Sequence, residues 1–276
     1  IKKSELRPWH YGDMYFQEGP LIYDVELDSV YKEGVLKKAV NYFKGLGLDV
    51  SNILNKSDLY ERKGKYPHAC CMDLDREGDV RIIENLKDDE KWMDTTLHEL
   101  GHALYSKNID SNLPFILRDN AHIFTTEAVA MLFGRKSKSP EFIKNHTSAK
   151  NQEIEKIRHE LKKMSRLRQL VFSRWVQVMY YFEKAMYEDP DADLNKLWWK
   201  LVKKFQFINF SRDKADWASK IHIVSAPVYY HNYLLGELLA SQLHHHIVNN
   251  IAKVKNDDYD YSNNLEVGNF LKQKVF

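Results

Sequence analysis

The chain has 276 residues, with 41 basic side chains against 39 acidic ones and a formal net charge of +2. That length suits one large domain or two closely packed ones with a substantial core. The near balance of charge gives no electrostatic reason to expect a nucleic acid or an anionic membrane as partner. No apolar run is long enough to span a bilayer, and the opening IKKSELRPWHYG is not a signal peptide. The first residue is Ile rather than Met, so a processed product or a fragment is expected. The compartment is left open, with the cytoplasm slightly favoured.

In chain order, helical periodicity runs through 28–46, 88–107, 121–133, 148–188, 193–207, 227–250 and 264–274, with no proline in the interiors. The first half of 148–188, as in EIEKIRHELKKMSRLRQL, is charged in the manner of a solvated helix face. Between Lys65 and Glu84 the pattern changes. His68-Ala-Cys-Cys-Met-Asp-Leu and Val80-Arg-Ile-Ile-Glu84 read as two short strands, with Gly78 and Asp79 as turn residues. A lone hairpin is marginal and must pack on helices. Its place before the helix at 88–107 suggests the edge of an active site. The two cysteines, Cys70 and Cys71, are adjacent, so no disulfide framework is implied, and they read as small buried strand residues. The triplet His244-His245-His246 points three ways on a helix and reads as polar surface rather than as a metal store. The fold class expected is mainly α, a helical catalytic region with a small β hairpin beside the active-site helix. No repeat, linker or boundary is visible, so residues 1–276 read as a single domain.

The most specific chemistry lies in TTLHELGHALY. His98 and His102 are four apart, which on a helix puts both imidazoles on one face, where a single metal ion takes a nitrogen from each. Glu99 then stands beside a metal-activated water as proton acceptor. Lys87-Asp88-Asp89-Glu90 supplies the acidic residues that favour a helix start, and Trp92, Met93, Leu97, Leu100, Ala103 and Leu104 form one apolar stripe. Gly101, inside that helix, costs about 1 kcal/mol relative to alanine. Its presence is explained if another backbone or a substrate comes close.

A catalytic zinc takes three protein ligands and keeps one position open. A third histidine soon after the motif is excluded, because position 108 is Asn108. Glu127 in FTTEAVAMLF fits instead, 29 residues after His98 on a helix otherwise built from small and apolar residues. An uncompensated carboxylate there would be costly. Such a site activates water and polarises a carbonyl, Glu99 carries the proton to the leaving amine, and the oxyanion needs further donors. The place to seek them is KIHIVSAPVYYHNYLLGE, where Tyr230 and Tyr233 are one turn apart after a helix start near Pro227, and His222 precedes them in an extended loop.

Four blocks, GKYPHACCMDLD, LHELGHALYS, LPFILRDNAHIFTTEAVAMLF and KIHIVSAPVYYHNYLLGE, resemble the gluzincin peptidases that include angiotensin-converting enzyme and the thimet-type oligopeptidases. GKYPHAC and the step to Glu127 are similar to the oligopeptidase branch. LPFILRDNAHIFTTEAVA and the residues at 220–233 are similar to the converting-enzyme branch, and YHNYLLGELLASQL resembles the related Taq-type carboxypeptidases. The resemblance implies that His98, His102 and Glu127 hold one zinc ion per chain and that Glu99 is the catalytic base. It implies that His222 and Tyr233 stabilise the tetrahedral intermediate, and that Lys220 and Tyr230 hold a substrate C-terminal carboxylate. His68, Ala69 and Cys71 would belong to the strand that pairs with an extended peptide substrate.

There are departures. Met131 stands where an aspartate often orients a zinc histidine, so another residue must do so, and Asn232 replaces an arginine tied to chloride activation. Family members are longer, and this chain is similar to their C-terminal, zinc-bearing half, which makes a missing N-terminal half a candidate partner. The expected activity is hydrolysis of short extended peptides, with release of C-terminal dipeptides. The alternatives are an oligopeptidase-type endopeptidase and a non-catalytic fragment that binds peptide or zinc.

Overall fold

The structure, a computed structural model, describes residues 5–20, 25–32 and 34–276. The chain divides into two units, one of Ile1–Asp24 with Lys162–Leu235 and the other of Val25–Leu161 with Gly236–Phe276. The changeovers at 161/162 and 235/236 fall inside helices rather than in a linker. A composition shift therefore has no reason to mark them.

The larger unit begins with α1 (Asp28–Tyr31) and α2 (Val35–Gly45), then α3 (Ser51–Lys56). One continuous helix was expected over 28–46. Gly34, at φ +78°, breaks it, because the left-handed region is closed to a helix interior. Glu33, within that stretch, lies outside the described residues. The α2 face Val35, Ala39, Tyr42 and Phe43 is fully buried, and the Asp88 carboxylate accepts the Val35 N–H at 3.0 Å. Strands β1 (Cys70–Asp73) and β2 (Val80–Ile83) form the expected antiparallel hairpin, with Cys70 opposite Ile83 and Asp73 opposite Val80. In the connection, Gly78 has φ +105°, and one Asp75 oxygen accepts the N–H groups of Glu77 and Asp79 at 2.8 and 3.0 Å. This is the side-chain mimicry of a turn that aspartate favours.

Helix α4 (Glu90–Lys107) starts where the acidic run predicts, because the Asp89 carboxylate accepts the Trp92 N–H at 2.8 Å. Met93, Leu97, Leu100 and Leu104 give it a core stripe, none more than 1% exposed. Helix α5 (Ile123–Gly134) packs directly on it. A Cβ on Gly101 would lie 2.7 Å from the Ala130 Cα, so the two backbones cross at the glycine. The unit is completed by α6 (Pro140–His146), by the start of α7 (Asn151–Glu188), and by the C-terminal segment. Around the α4 and α5 crossing, Phe43 packs edge-on to Phe133 at 4.9 Å and Tyr42 to Phe142 at 5.1 Å.

The smaller unit is built on the second half of α7 and on α8 (Leu194–Leu201), which ends in a π-helical turn at Val202–Gln206. Asp193 caps α8 by accepting the Lys196 N–H at 3.0 Å. Trp175, Phe182, Trp198, Trp199 and Phe16 make its aromatic core. Next come α9 (His222–Ser225) and α10 (His231–His246), whose first turn belongs to this unit and whose remainder, with α11 (Leu265–Lys274), belongs to the other. The expected helix start near Pro227 is corrected to His231, since Val228 takes φ +56°. His222 sits in α9 rather than in an extended loop. The short helices α3, α6 and α9 have no signal in the sequence reading, because four to seven residues hold too few turns to show a period. The structure is mainly helical with one small hairpin. No helix among the described residues is long and apolar enough to cross a membrane.

Candidate metal centre

Four residues of spacing on α4 bring His98 and His102 onto one face, with ring centroids 4.8 Å apart. Their Nε2 atoms are 3.2 Å apart, and Glu127 Oε2 on α5 lies 3.6 Å from the first and 3.7 Å from the second. Donor atoms held at ~2.0–2.1 Å around a tetrahedral zinc ion stand about 3.3–3.4 Å from one another. The three atoms, 3.2–3.7 Å apart, lie close to that separation, and two neutral nitrogens with one carboxylate are a donor set zinc accepts. The fit depends on the helix crossing. Gly101 lets α5 approach α4, and a Cβ on Gly236 of α10 would come within 2.9 Å of the Glu127 Cβ, so a second glycine admits the carboxylate stem. Glu127 is 2% exposed, whereas the His98 side chain is 25% exposed. The trio is therefore not sealed from solvent.

The orienting residue that Met131 does not supply is Thr126. Its Oγ1 is 2.7 Å from His102 Nδ1. A proton on Nδ1 donated to that hydroxyl leaves the Nε2 lone pair facing Glu127 and His98. Burial, and then the neighbouring His98, hold His102 well below the usual histidine range, which keeps it in the neutral form a metal requires. Thr126 escaped sequence reasoning, although its position one residue before Glu127 on the same helix is the signal that was there to be used.

Glu99 is 7% exposed. Burial first, then the charges of Glu84 and Glu127, push its carboxyl well above the ordinary carboxylate range. A divalent cation held by the trio acts in the opposite direction. Glu84, at the end of β2, is fully buried, accepts from Thr96 Oγ1 at 3.0 Å, and is pushed up to about 7 by burial. It too was not anticipated. The hairpin lies against α4: Cys70 and Cys71 both feel the Glu99 charge, and burial raises both thiols. His68 and Ala69 precede β1 instead of belonging to it, with His68 exposed and its ring 5.6 Å from that of Tyr66. Among the described residues β1 pairs with β2 alone, which leaves its outer edge for another strand.

The other predicted residues gather in the smaller unit. His222 Nε2 is 3.2 Å from the Tyr233 hydroxyl, and the rings of Tyr230 and Tyr233 are 5.1 Å apart even though Tyr230 precedes α10. Trp175 Nε1 donates to the Tyr230 hydroxyl at 2.8 Å. Lys220 is 8% exposed and donates to Gln17 Oε1 at 3.0 Å. Its ammonium lies 4.8–5.6 Å from the ring centres of Tyr15, Trp175 and Tyr230. Burial lowers it to about 8, against the opposing charge of Asp13. Gln17 and Trp175 were not foreseen, since nothing local in GDMYFQ or SRWVQ marks them. The histidine triplet is also corrected at one position: His244 is not plain surface, because its ring contacts the Tyr261 hydroxyl and the Asp257 carbonyl, the latter at 2.8 Å.

Among the described residues, His98, His102 and Glu127 are the one group of histidine, cysteine and acidic side chains arranged to hold a metal ion. The profile described as angiotensin-converting enzyme, peptidase family M2, matches residues 25–275. No individual curated protein matches the chain significantly.

Proposed function

The chain belongs to the angiotensin-converting enzyme family of zinc peptidases, and from that premise we propose that it hydrolyses short extended peptides and releases dipeptides from their C-termini. The observation that carries the reading is the tetrahedral spacing of the His98, His102 and Glu127 donor atoms. These three residues hold one zinc ion per chain. When bound there, zinc supplies Lewis acidity toward the scissile carbonyl and lowers the pKa of a water toward ~7.

The remaining work falls to this chain's own groups. Glu99, next to the first ligand on α4, takes a proton from the attacking water and returns it to the leaving nitrogen. His222 and Tyr233 donate to the oxyanion as it forms, a role suited to a hydrogen-bonded imidazole and phenol. Lys220, which donates to Gln17 Oε1, and Tyr230 receive the substrate carboxylate. In support, Lys220 is a buried cation that contacts an amide and three rings, with no carboxylate among the described residues within ion-pair distance. The free edge of β1 at Cys71, with the backbone of His68 and Ala69 leading into it, pairs with the extended peptide. Residues 1–276 act in this reading as one catalytic domain.

A mass-spectrometric digest of a mixed peptide library tests the reading. Successive loss of C-terminal dipeptides, abolished by chelation and restored by zinc, is the expected result. Internal cuts would favour the endopeptidase alternative, and no zinc-dependent cleavage would leave a binding fragment. Glu99→Gln keeps the zinc and loses about 10²–10⁴-fold in kcat; a variant with undiminished turnover would overturn the assigned base.

A further inference from the structure

The segment between His222 on α9 and Tyr233 on α10 contains a backbone that is costly to hold. Val228 has φ +56°, a region where a β-branched side chain is a genuine outlier, and its side chain is 59% exposed, so no core packing compensates. Such strain persists only where the surroundings over-determine it. The surrounding group here is Glu183 on α7. Its Oε1 accepts the Val228 N–H at 2.6 Å, across 45 residues of sequence.

Glu183 is itself unusual. It is 6% exposed, and among the described residues no lysine, arginine or histidine forms an ion pair with it. The Tyr187 hydroxyl donates to it only at a long 3.5 Å. A buried carboxylate without a counter-ion is expensive, and a charge-assisted bond to a backbone amide is among the stronger compensations. The amide it holds is placed between the two donors: Ala226 ends α9, Pro227 lacks an N–H, and Tyr229 and Tyr230 lead directly into α10. The His222 ring touches Tyr230 at 5.0 Å between centroids and Tyr233 at 5.9 Å, so the offset between the two helices sets the 3.2 Å pair.

We propose that Glu183 is a positioning residue for hydrolysis: its buried carboxylate clamps the left-handed turn at Val228 and thereby holds His222 and Tyr233 in register as oxyanion donors. The inference rests on the roles given above to His222 and Tyr233. Its effect belongs to the transition state, so removing the clamp lowers kcat while leaving KM and zinc content largely alone.

The test uses the full zinc-loaded chain and compares kcat, KM, zinc content and Tm for Tyr233→Phe, Glu183→Ala, Glu183→Gln and Glu183→Ala/Val228→Gly. Tyr233→Phe losing roughly 10²-fold or more in kcat verifies the underlying reading. Glu183→Ala is expected to lose about tenfold or more in kcat with KM within about twofold. Glu183→Gln, whose Oε1 still accepts the amide, stays within a few-fold of wild type. The double variant recovers part of the loss, because glycine adopts the turn without strain. Should Glu183→Ala fail to fold, Glu183→Asp retracts the acceptor by one methylene and must show the same kcat loss. The inference is overturned if Tyr233→Phe is impaired while Glu183→Ala, or Glu183→Asp in its place, turns over at the wild-type rate. Unimpaired Tyr233→Phe overturns instead the donor roles on which it rests.

Discussion

A single hydroxyl decides how His102 presents itself. Thr126 Oγ1, 2.7 Å from Nδ1, directs the other nitrogen toward Glu127. Thr126→Val keeps the shape and removes the hydrogen bond, and it is expected to weaken zinc binding about 10–100-fold, read by competition with a chelating dye. A second residue-scale prediction concerns Lys220, lowered to about 8 by burial. Only the protonated amine attracts a carboxylate, so the favourable charge is present below that pH and lost as pH rises through it. For peptides with a free C-terminus, kcat/KM is expected to fall above about pH 8. C-terminally amidated peptides lack that limb, and so does Lys220→Met. An identical limb for both peptide types would remove Lys220 from substrate recognition.

At the scale of elements, the metal centre is a consequence of two helices meeting backbone to backbone. Gly101→Ala puts a methyl 2.7 Å from the Ala130 Cα, so α5 must move and take Glu127 with it. A loss of about 1–3 kcal/mol in denaturant unfolding is expected, together with weaker zinc binding. Unchanged zinc affinity would mean that the crossing does not set the ligand geometry. The start of α4 was legible because aspartate at a cap leaves a local mark, and the hairpin because Gly78 and Asp79 sit between alternating strands. The break at Gly34 and the late start of α10 were not, since a positive φ at Gly34 or Val228 is chosen by what packs around the turn. The same holds for Glu183, whose partner is 45 residues away.

For the whole molecule, the division into two units separates the residues of interest. The trio and Glu99 lie within the larger unit, while Lys220, His222, Tyr230 and Tyr233 lie within the smaller. Zinc is therefore expected to stabilise the larger unit by mass action, by about 4 kcal/mol at a free concentration a thousandfold above Kd. A calorimetric Tm that rises with zinc in the wild type and not in His98→Ala/His102→Ala checks this. A rise of equal size in the double variant would place the stabilising metal elsewhere.

The sequence by itself determined the candidate metal ligands. His98, Glu99 and His102 carry their meaning in a spacing that any helix converts to a shared face, and Glu127 stands out because a carboxylate among small apolar residues needs a reason. The family resemblance rests on the same local words, and the match over residues 25–275 agrees with it. The tertiary structure alone decided the 3.2–3.7 Å separations, the choice of Thr126 as the orienting hydroxyl, the aromatic enclosure of Lys220 and the clamp on Val228. The physical reason is range. Periodicity and capping act over a few residues and are written locally, whereas donor geometry, burial and the pKa shifts that follow from it depend on groups that only packing brings together.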